Sequence, residues 1–295
     1  MKIPLMMIIN PAAGKGAYKK YLPEALRLLS GAGYTVNLFF TERRGHATEL
    51  ASQYAGSFSR LIVLGGDGTL AETVAGLMTI ADRPQIGYIP IGTANDVART
   101  LGLPKNDILA GARQFISGEP HKMDEGKRDG GYFNYVAAFG AFTSVSYQTS
   151  QDAKRQFGEA AYLMGAVKSL PKLKSSRVLI EYDNGTIDGE FLYGSMSNSY
   201  SVAGIIDLPK DEIDLGDGLH ELVLVKKLPN AAALAALAAQ VLNHDLSSEY
   251  IITKHTKHAC FIFDKPETWT FDGEDGGEHI KIEFENCPQA IEMIY

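Results

Sequence analysis

Gly65-Gly66-Asp67-Gly68-Thr69 places one carboxylate among three glycines, directly after the apolar run Leu61-Ile62-Val63-Leu64 and before Leu70-Ala71-Glu72-Thr73-Val74. The glycines remove the Cβ atoms that would hold a phosphate chain away from the backbone, and a helix start behind them offers free N–H groups and a positive dipole end. A carboxylate in such a turn repels phosphate unless a cation such as Mg²⁺ lies between them. The pentapeptide therefore suggests metal-nucleotide chemistry. Taken alone it also fits a glycine turn with an Asp near a helix N-cap and no ligand.

Two further loops have the same form. Asn10-Pro11-Ala12-Ala13-Gly14-Lys15-Gly16 follows the strand-like Ile3 to Ile9 and precedes a helical pattern through Leu22, Leu26 and Leu29. Pro90-Ile91-Gly92-Thr93-Ala94-Asn95-Asp96-Val97-Ala98-Arg99 follows Gln85 to Ile89. The first loop has neither the glycine spacing nor the Lys-Ser/Thr pair of a Walker A loop, and no dinucleotide G-x-G-x-x-G is present. Three such loops at strand ends predict an open α/β sheet with its ligand crevice beyond the carboxyl ends of the strands. A fourth turn, the acidic Phe271-Asp272-Gly273-Glu274-Asp275, ends an aromatic-rich strand; clustered carboxylates there suit a general base, and a solvated acidic β-turn is the plain alternative.

The pattern changes near residue 125. Beyond it come short β-rich runs, among them Tyr132 to Ala137, Arg177 to Tyr182, Glu221 to Val225 and His279 to Phe284, with Asp183-Asn184-Gly185-Thr186 as a hairpin signal. The expected organisation is an α/β domain over 1–125 and a β-sandwich domain over 126–295.

With these motifs placed, the ordered set Asn10-Pro11…Gly14-Lys15, Thr41 with Gly45, Gly65 through Glu72, Gly92 through Arg99, Asp214…Asp217-Gly218 and Asp272-Gly273-Glu274 resembles the bacterial diacylglycerol kinase-like lipid kinases, relatives of the sphingosine kinases. The resemblance covers nearly the whole chain. It implies an N-terminal open α/β nucleotide-binding domain, a C-terminal β-rich domain that houses the lipid chain, and an active site in the cleft between them. By the same resemblance ATP, as co-substrate, is lined by Asn10, Pro11, Ala12, Ala13, Gly14, Lys15, Thr41, Gly66, Asp67, Gly68, Thr69, Leu70, Ala71, Glu72 and Thr93. Ala12-Ala13 stand where such kinases often carry a hydroxyl residue.

Phosphoryl transfer to an alcohol needs phosphate positioning, a bridging divalent cation and a group that accepts the hydroxyl proton. The resemblance gives the catalytic Mg²⁺ to Asp67, supported by Asp96 and Asp124, although Asp124 in Met123-Asp124-Glu125-Gly126 reads equally as an exposed acid in a polar turn. It gives a structural Mg²⁺ to the Asp217 carboxylate with backbone oxygens of Asp214 and Leu219; an Asp-Gly turn leading into a strand is the even alternative. Asp272 and Glu274 both remain open as the base, with Glu274 favoured slightly and Asp272 then orienting or binding metal.

Composition narrows the partners. The 295 residues are 45% apolar, enough for two domains with cores, and carry 28 Lys plus Arg against 35 acids for a net charge of −7. That balance argues against a broad nucleic-acid surface. Cys260 and Cys287 are too few for a disulfide framework, and no stretch reaches the roughly 20 apolar residues of a membrane span, so the expectation is a cytoplasmic protein that meets its lipid peripherally. The opening apolar run reads as a core strand and not a signal peptide. Apolar and basic residues mix over Tyr162 to Lys174, with Arg177 just beyond, as on a membrane-docking helix or an ordinary solvated face. The histidines are given no role, and a homodimer is left open. Diacylglycerol is the expected acceptor. The competing readings are a related lipid alcohol, a catalytically silent lipid-binding protein of the same fold, and an NAD kinase; the last should show an Asn-Glu pair downstream, which is lacking here.

Overall fold

The computed structural model describes residues 2–16, 18–141, 174–202, 206–207, 213–243 and 245–295. These form two compact units, one of Met1–Glu125 with Pro288–Tyr295, the other of Gly126–Cys287. The segment Tyr162 to Leu173, singled out above for its mixed apolar and basic character, lies outside the described residues.

The first unit alternates strand and helix: β1 (Ile3–Ile9), α1 (Tyr18–Gly31), β2 (Tyr34–Phe40), α2 (His46–Tyr54), β3 (Arg60–Gly65), α3 (Asp67–Leu77), β4 (Gln85–Pro90), α4 (Asp96–Thr100) and α5 (Ile108–Ser117). β1 lies between β2 and β3, β3 between β1 and β4, all parallel. Helices cover both faces of such a sheet, so its strands read as nearly continuous apolar runs. Leu5, Met7 and Ile9 of β1 pack with Ala25 and Leu29 of α1 and Phe115 of α5, while Met6 and Ile8 are buried on the opposite face. The order in which strands are added reverses at β1, with β2 on one side of it and β3 on the other. In doubly wound sheets this switch point opens the crevice where ligands bind.

The closing residues correct the expectation that 126–295 form one domain. Two long elements run from one unit into the other: β5 (Pro120–Arg128) and β15 (Glu274–Ile294). The end of β15 pairs parallel with β4 through Met293 and Ile86. Arg83 donates from Nη1 to the Ala290 carbonyl at 2.8 Å, and the Tyr295 and Glu119 backbones exchange bonds of 3.2 and 3.3 Å. Eight residues sufficed to return the chain because a single strand addition needs no crossover helix.

The second unit is antiparallel: β6 (Gly131–Phe133), β7 (Val136–Gly140), β8 (Ser176–Tyr182), β9 (Gly185–Ser197), β10 (Ser201–Val202), β11 (Ile206–Asp207), β12 (His220–Lys226), α6 (Ala231–Leu242), β13 (Ile251–Thr256) and β14 (His258–Phe271), with most of β15. β9 pairs with β8 along its first half and with β7 and β12 along its second; β14 likewise pairs with β8 early and β7 late. Strands that change partners along their length generate two layers from few strands. Between the layers lie Phe133, Phe139, Phe261, Phe263, Trp269, Phe271 and Phe284, with ring pairs such as Phe139 and Trp269 at 5.1 Å. The Asp183-Asn184 turn joins β8 to β9 with Tyr182 opposite Gly185. No helix of the described residues is long and apolar enough to cross a membrane.

Candidate active site

Because Ile9, Leu64 and Ile89 share one register across β1, β3 and β4, the three small-residue loops leave the sheet side by side. Backbone bonds continue the ladder into them: the Asn10 N–H donates to the Leu64 carbonyl at 2.9 Å and the Ile91 N–H to Gly65 at 2.8 Å. Asn10 also donates from Nδ2 to the Thr69 hydroxyl at 3.0 Å and accepts the Ala12 N–H on Oδ1 at 3.0 Å, which folds the first loop against the second.

Glycine is required where the loops touch. A Cβ on Gly92 would lie 2.6 Å from the Gly66 Cα and 2.7 Å from Asn95 Oδ1, and one on Gly14, whose φ is +61°, would lie 2.9 Å from the Ile91 carbonyl oxygen. The pieces meet backbone to backbone. Gly92→Ala is expected to push the Gly66 and Gly92 loops apart, costing about 1–3 kcal/mol of stability from overpacking and at least about 10-fold in turnover from misplacement of the loop backbone. Thermal melting and a phosphoryl-transfer assay check both; a variant with wild-type turnover would show that the approach is incidental.

Asp67 sits at the centre of this junction. Its carboxylate accepts the backbone N–H of Asp96 at 3.1 Å and of Val97 at 3.4 Å, at the start of α4, and a further bond from the Asn95 backbone. The Tyr88 hydroxyl lies 3.4 Å from Asp67 Oδ1 and 3.5 Å from Asn95 Oδ1. Burial, followed by the negative charge of Asp96, outweighs these donors and pushes the Asp67 carboxyl up to about 6. The same burial raises the Tyr88 phenol above its ordinary value, so its hydroxyl keeps its proton. Asp96 itself is buried, with Arg99 Nη2 at 3.2 Å from Oδ1.

The other expected nucleotide residues fall into two groups. Asn10, Gly14, Gly66 and Thr93 belong to the three adjacent loops, Pro11, Ala12 and Ala13 continue the first, and Gly68 and Thr69 lie in the first turn of α3. Thr41 is buried at the end of β2, its N–H bonded to the Ile9 carbonyl at 2.9 Å. Glu72 faces inward to the protein: its carboxylate accepts the N–H of Gly45 at 2.8 Å and of Ala47 at 3.3 Å, and so caps the start of α2. Leu70 is buried and Ala71 precedes Glu72 on α3, places fitted to packing.

Asp124 is not the exposed acid of a polar turn. It is fully buried within β5 and accepts the Gln289 N–H on Oδ1 at 2.6 Å, where Gln289 has a φ of +50°. Asp214 and Asp217 are exposed and close short loops on themselves, accepting the N–H of Gly216 at 3.0 Å and of Leu219 at 2.8 Å. Among the described residues no three acidic, His or Cys side chains converge as a metal cluster. Mg²⁺ needs no such cage, since one or two carboxylates with substrate phosphates and water hold it. The Asp67–Asp96 pair, two neighbouring acids whose mutual repulsion a cation would relieve, fits that requirement.

In the second unit, Asp272 and Gly273 form the two-residue turn between β14 and β15, both with positive φ, +51° and +81°. This is the Asp-Gly hairpin geometry that sequence favours. The Asp272 carboxylate is buried and turned inward: Oδ2 accepts the Asn134 N–H at 2.8 Å, and Oδ1 accepts those of Tyr135 and Val136 at 3.0 and 3.2 Å. Its own N–H donates to the Val136 carbonyl at 2.8 Å. Glu274, two residues on, is exposed. Sequence reading missed Tyr88, Asn95 and the Asn134–Val136 backbone. Asn95 had a signal, an Asn after small residues where a left-handed backbone is wanted, here φ +53°; a tyrosine within an apolar strand has none.

The family described as diacylglycerol kinase catalytic domain matches residues 4–128. A diacylglycerol kinase of Bacillus subtilis (strain 168) is 33% identical over 290 residues, 98% of this chain and 95% of that protein. One from Staphylococcus carnosus (strain TM300) is 36% identical over 298 residues, 97% of this chain and 93% of the relative. The crystal structure of a diacylglycerol kinase from Bacillus anthracis str. Sterne superposes with a TM-score of 0.79 at 23% identity, over 99% of this chain and 96% of that one, a likeness of fold. With glycine loops, paired acids and full-length similarity in agreement, the chain belongs to the diacylglycerol kinase family and is a lipid kinase, a phosphotransferase.

Proposed function

We propose that this kinase transfers the γ-phosphate of Mg-ATP to the free hydroxyl of diacylglycerol, giving phosphatidic acid, with a related lipid alcohol as the nearest variant. The observation that carries the reading is the Asp67–Asp96 pair set at the meeting of the Gly66 and Gly92 loops; the relatives' names supply the acceptor. In this reading the glycine-loop N–H groups, with the Thr69 and Thr93 hydroxyls and Lys15, orient the phosphates. Asp67 and Asp96 hold Mg²⁺, which supplies charge neutralisation on the phosphate oxygens when bound. Asp124 supports the pair from β5. Glu274 accepts the hydroxyl proton, and Asp272 fixes the turn that presents it. A second Mg²⁺ at Asp214, Asp217 and Leu219 would brace the loop before β12. The protein would work in the cytoplasm, touching the membrane surface to reach its substrate.

The test is transfer of labelled γ-phosphate from Mg-ATP to diacylglycerol in mixed micelles, with NAD offered in parallel. Labelled phosphatidic acid from the wild type, absent when Asp67 is Asn, is expected. Label in NAD alone, or in neither acceptor, would overturn the assignment.

A further inference from the structure

Arg128 ends β5 at the Asp129-Gly130 turn, where it pairs with Gly131 of β6, and is half-buried over the ring of Phe271, its guanidinium carbon 3.9 Å from the ring centroid. That is close for a cation on an aromatic face, and Arg stacks there through its plane as well as its charge. Nη1 donates to the Asp129 carbonyl at 2.8 Å, and Nε is buried with no hydrogen-bond partner among the described residues. Burial lowers the guanidinium pKa, and the neighbouring charges that offset this are first Asp272, then Asp129. Phe271 is the residue immediately before the Asp272-Gly273 turn and pairs with Glu274 across it. Arg128 thus clamps one side of the turn while the Asn134–Val136 backbone clamps the other through Asp272.

We propose that Arg128 is a positioning residue for phosphoryl transfer: by lying flat on Phe271 beside Asp272, it holds the turn that presents Glu274 in its working orientation. The inference rests on the proposed role of that turn. A lysine at 128 keeps the charge and loses the planar stack; a methionine keeps an apolar stem and loses the charge.

Arg128→Met, Arg128→Lys and Glu274→Gln are compared by steady-state kinetics with Mg-ATP and diacylglycerol micelles, and by hydrogen exchange at the Asn134, Tyr135 and Val136 amides. Arg128→Met is expected to lower kcat by about 10-fold, leave KM for ATP within about 2-fold and speed exchange at those three amides, with partial recovery in Arg128→Lys. Unchanged kcat and unchanged exchange in Arg128→Met would overturn the anchoring role. A raised KM for ATP at constant kcat would overturn it too, by making Arg128 a nucleotide contact. Glu274→Gln reports separately: full turnover there, with exchange still faster in Arg128→Met, removes the proton-acceptor reading and leaves the anchoring of the turn standing.

Discussion

Asp272→Ala is expected to lose roughly 3–4 kcal/mol of stability, because three backbone donors lose one charged acceptor in a buried site. The Asn134 N–H points at one carboxylate oxygen and the Tyr135 and Val136 N–H groups at the other, at 2.8, 3.0 and 3.2 Å. An alanine takes that acceptor from all three. For a unit of this size that corresponds to a fall in melting temperature of about 10 °C. Asp272→Asn should be intermediate, since its one carbonyl oxygen serves some of the donors while its amide N–H opposes the rest. Glu274→Gln should behave differently. Glu274 is exposed, so its stability should stay within about 0.5 kcal/mol of wild type, while loss of the proposed proton acceptor should cost about 100-fold or more in kcat. Melting curves beside initial rates separate the two carboxylates. If Asp272→Ala melted like wild type and yet lost all activity, the clamp would be the wrong account of Asp272 and direct chemistry the right one. If Glu274→Gln kept its rate, the base would lie elsewhere.

The elements that bring the loops together were legible because parallel strands buried on both faces leave continuous apolar runs, as in Leu61 to Leu64, and because the glycines that end them have few other uses. The roles of individual acids were harder to see. Asp67 meets the start of α4 only through the contact of Gly66 with Gly92, a packing fact with no signature at either position alone. Glu72 reads as a nucleotide residue in the pentapeptide's helix, and what no sequence pattern showed is that its carboxylate accepts the amides that open α2. The Met123-Asp124-Glu125-Gly126 stretch looked like a turn on composition; strand pairing overrode that, and the Gln289 N–H repays the burial of Asp124. Asp272 joins amides far away in the sequence, and only its Asp-Gly hairpin was local enough to read.

Asp67→Asn is expected to make the protein more stable and catalytically dead, and the stability gain should depend on pH in a stated direction. The folded-state pKa of Asp67 is raised from 3.8 to about 6, chiefly by burial and then by Asp96. A raised pKa means the fold favours the protonated form. Its stabilising contribution is complete below about pH 4 and disappears as pH rises through about 6, after which the native state carries a charge it does not compensate. Asn removes that charge, offers Oδ1 to the Asp96 N–H and an amide to the Tyr88 oxygen, and gives up the longer Val97 bond of 3.4 Å. In metal-free buffer the variant should therefore be about 1–3 kcal/mol more stable than wild type at pH 8 and equal to it near pH 4. Adding Mg²⁺ with nucleotide should stabilise the wild type and close the gap, because binding to the native state alone shifts unfolding by mass action. Turnover should fall by at least about 100-fold, as the carboxylate proposed to hold the metal is lost. Thermal melts from pH 4 to pH 8, with and without Mg-ATP, check each part. A pH-independent difference would mean that Asp67 is already ionised and satisfied by the α4 amides, which would make it a structural cap and move the metal to other ligands. A pH-dependent gain with dead chemistry would place Asp67 among groups held at a cost to the fold because the bound metal needs their charge.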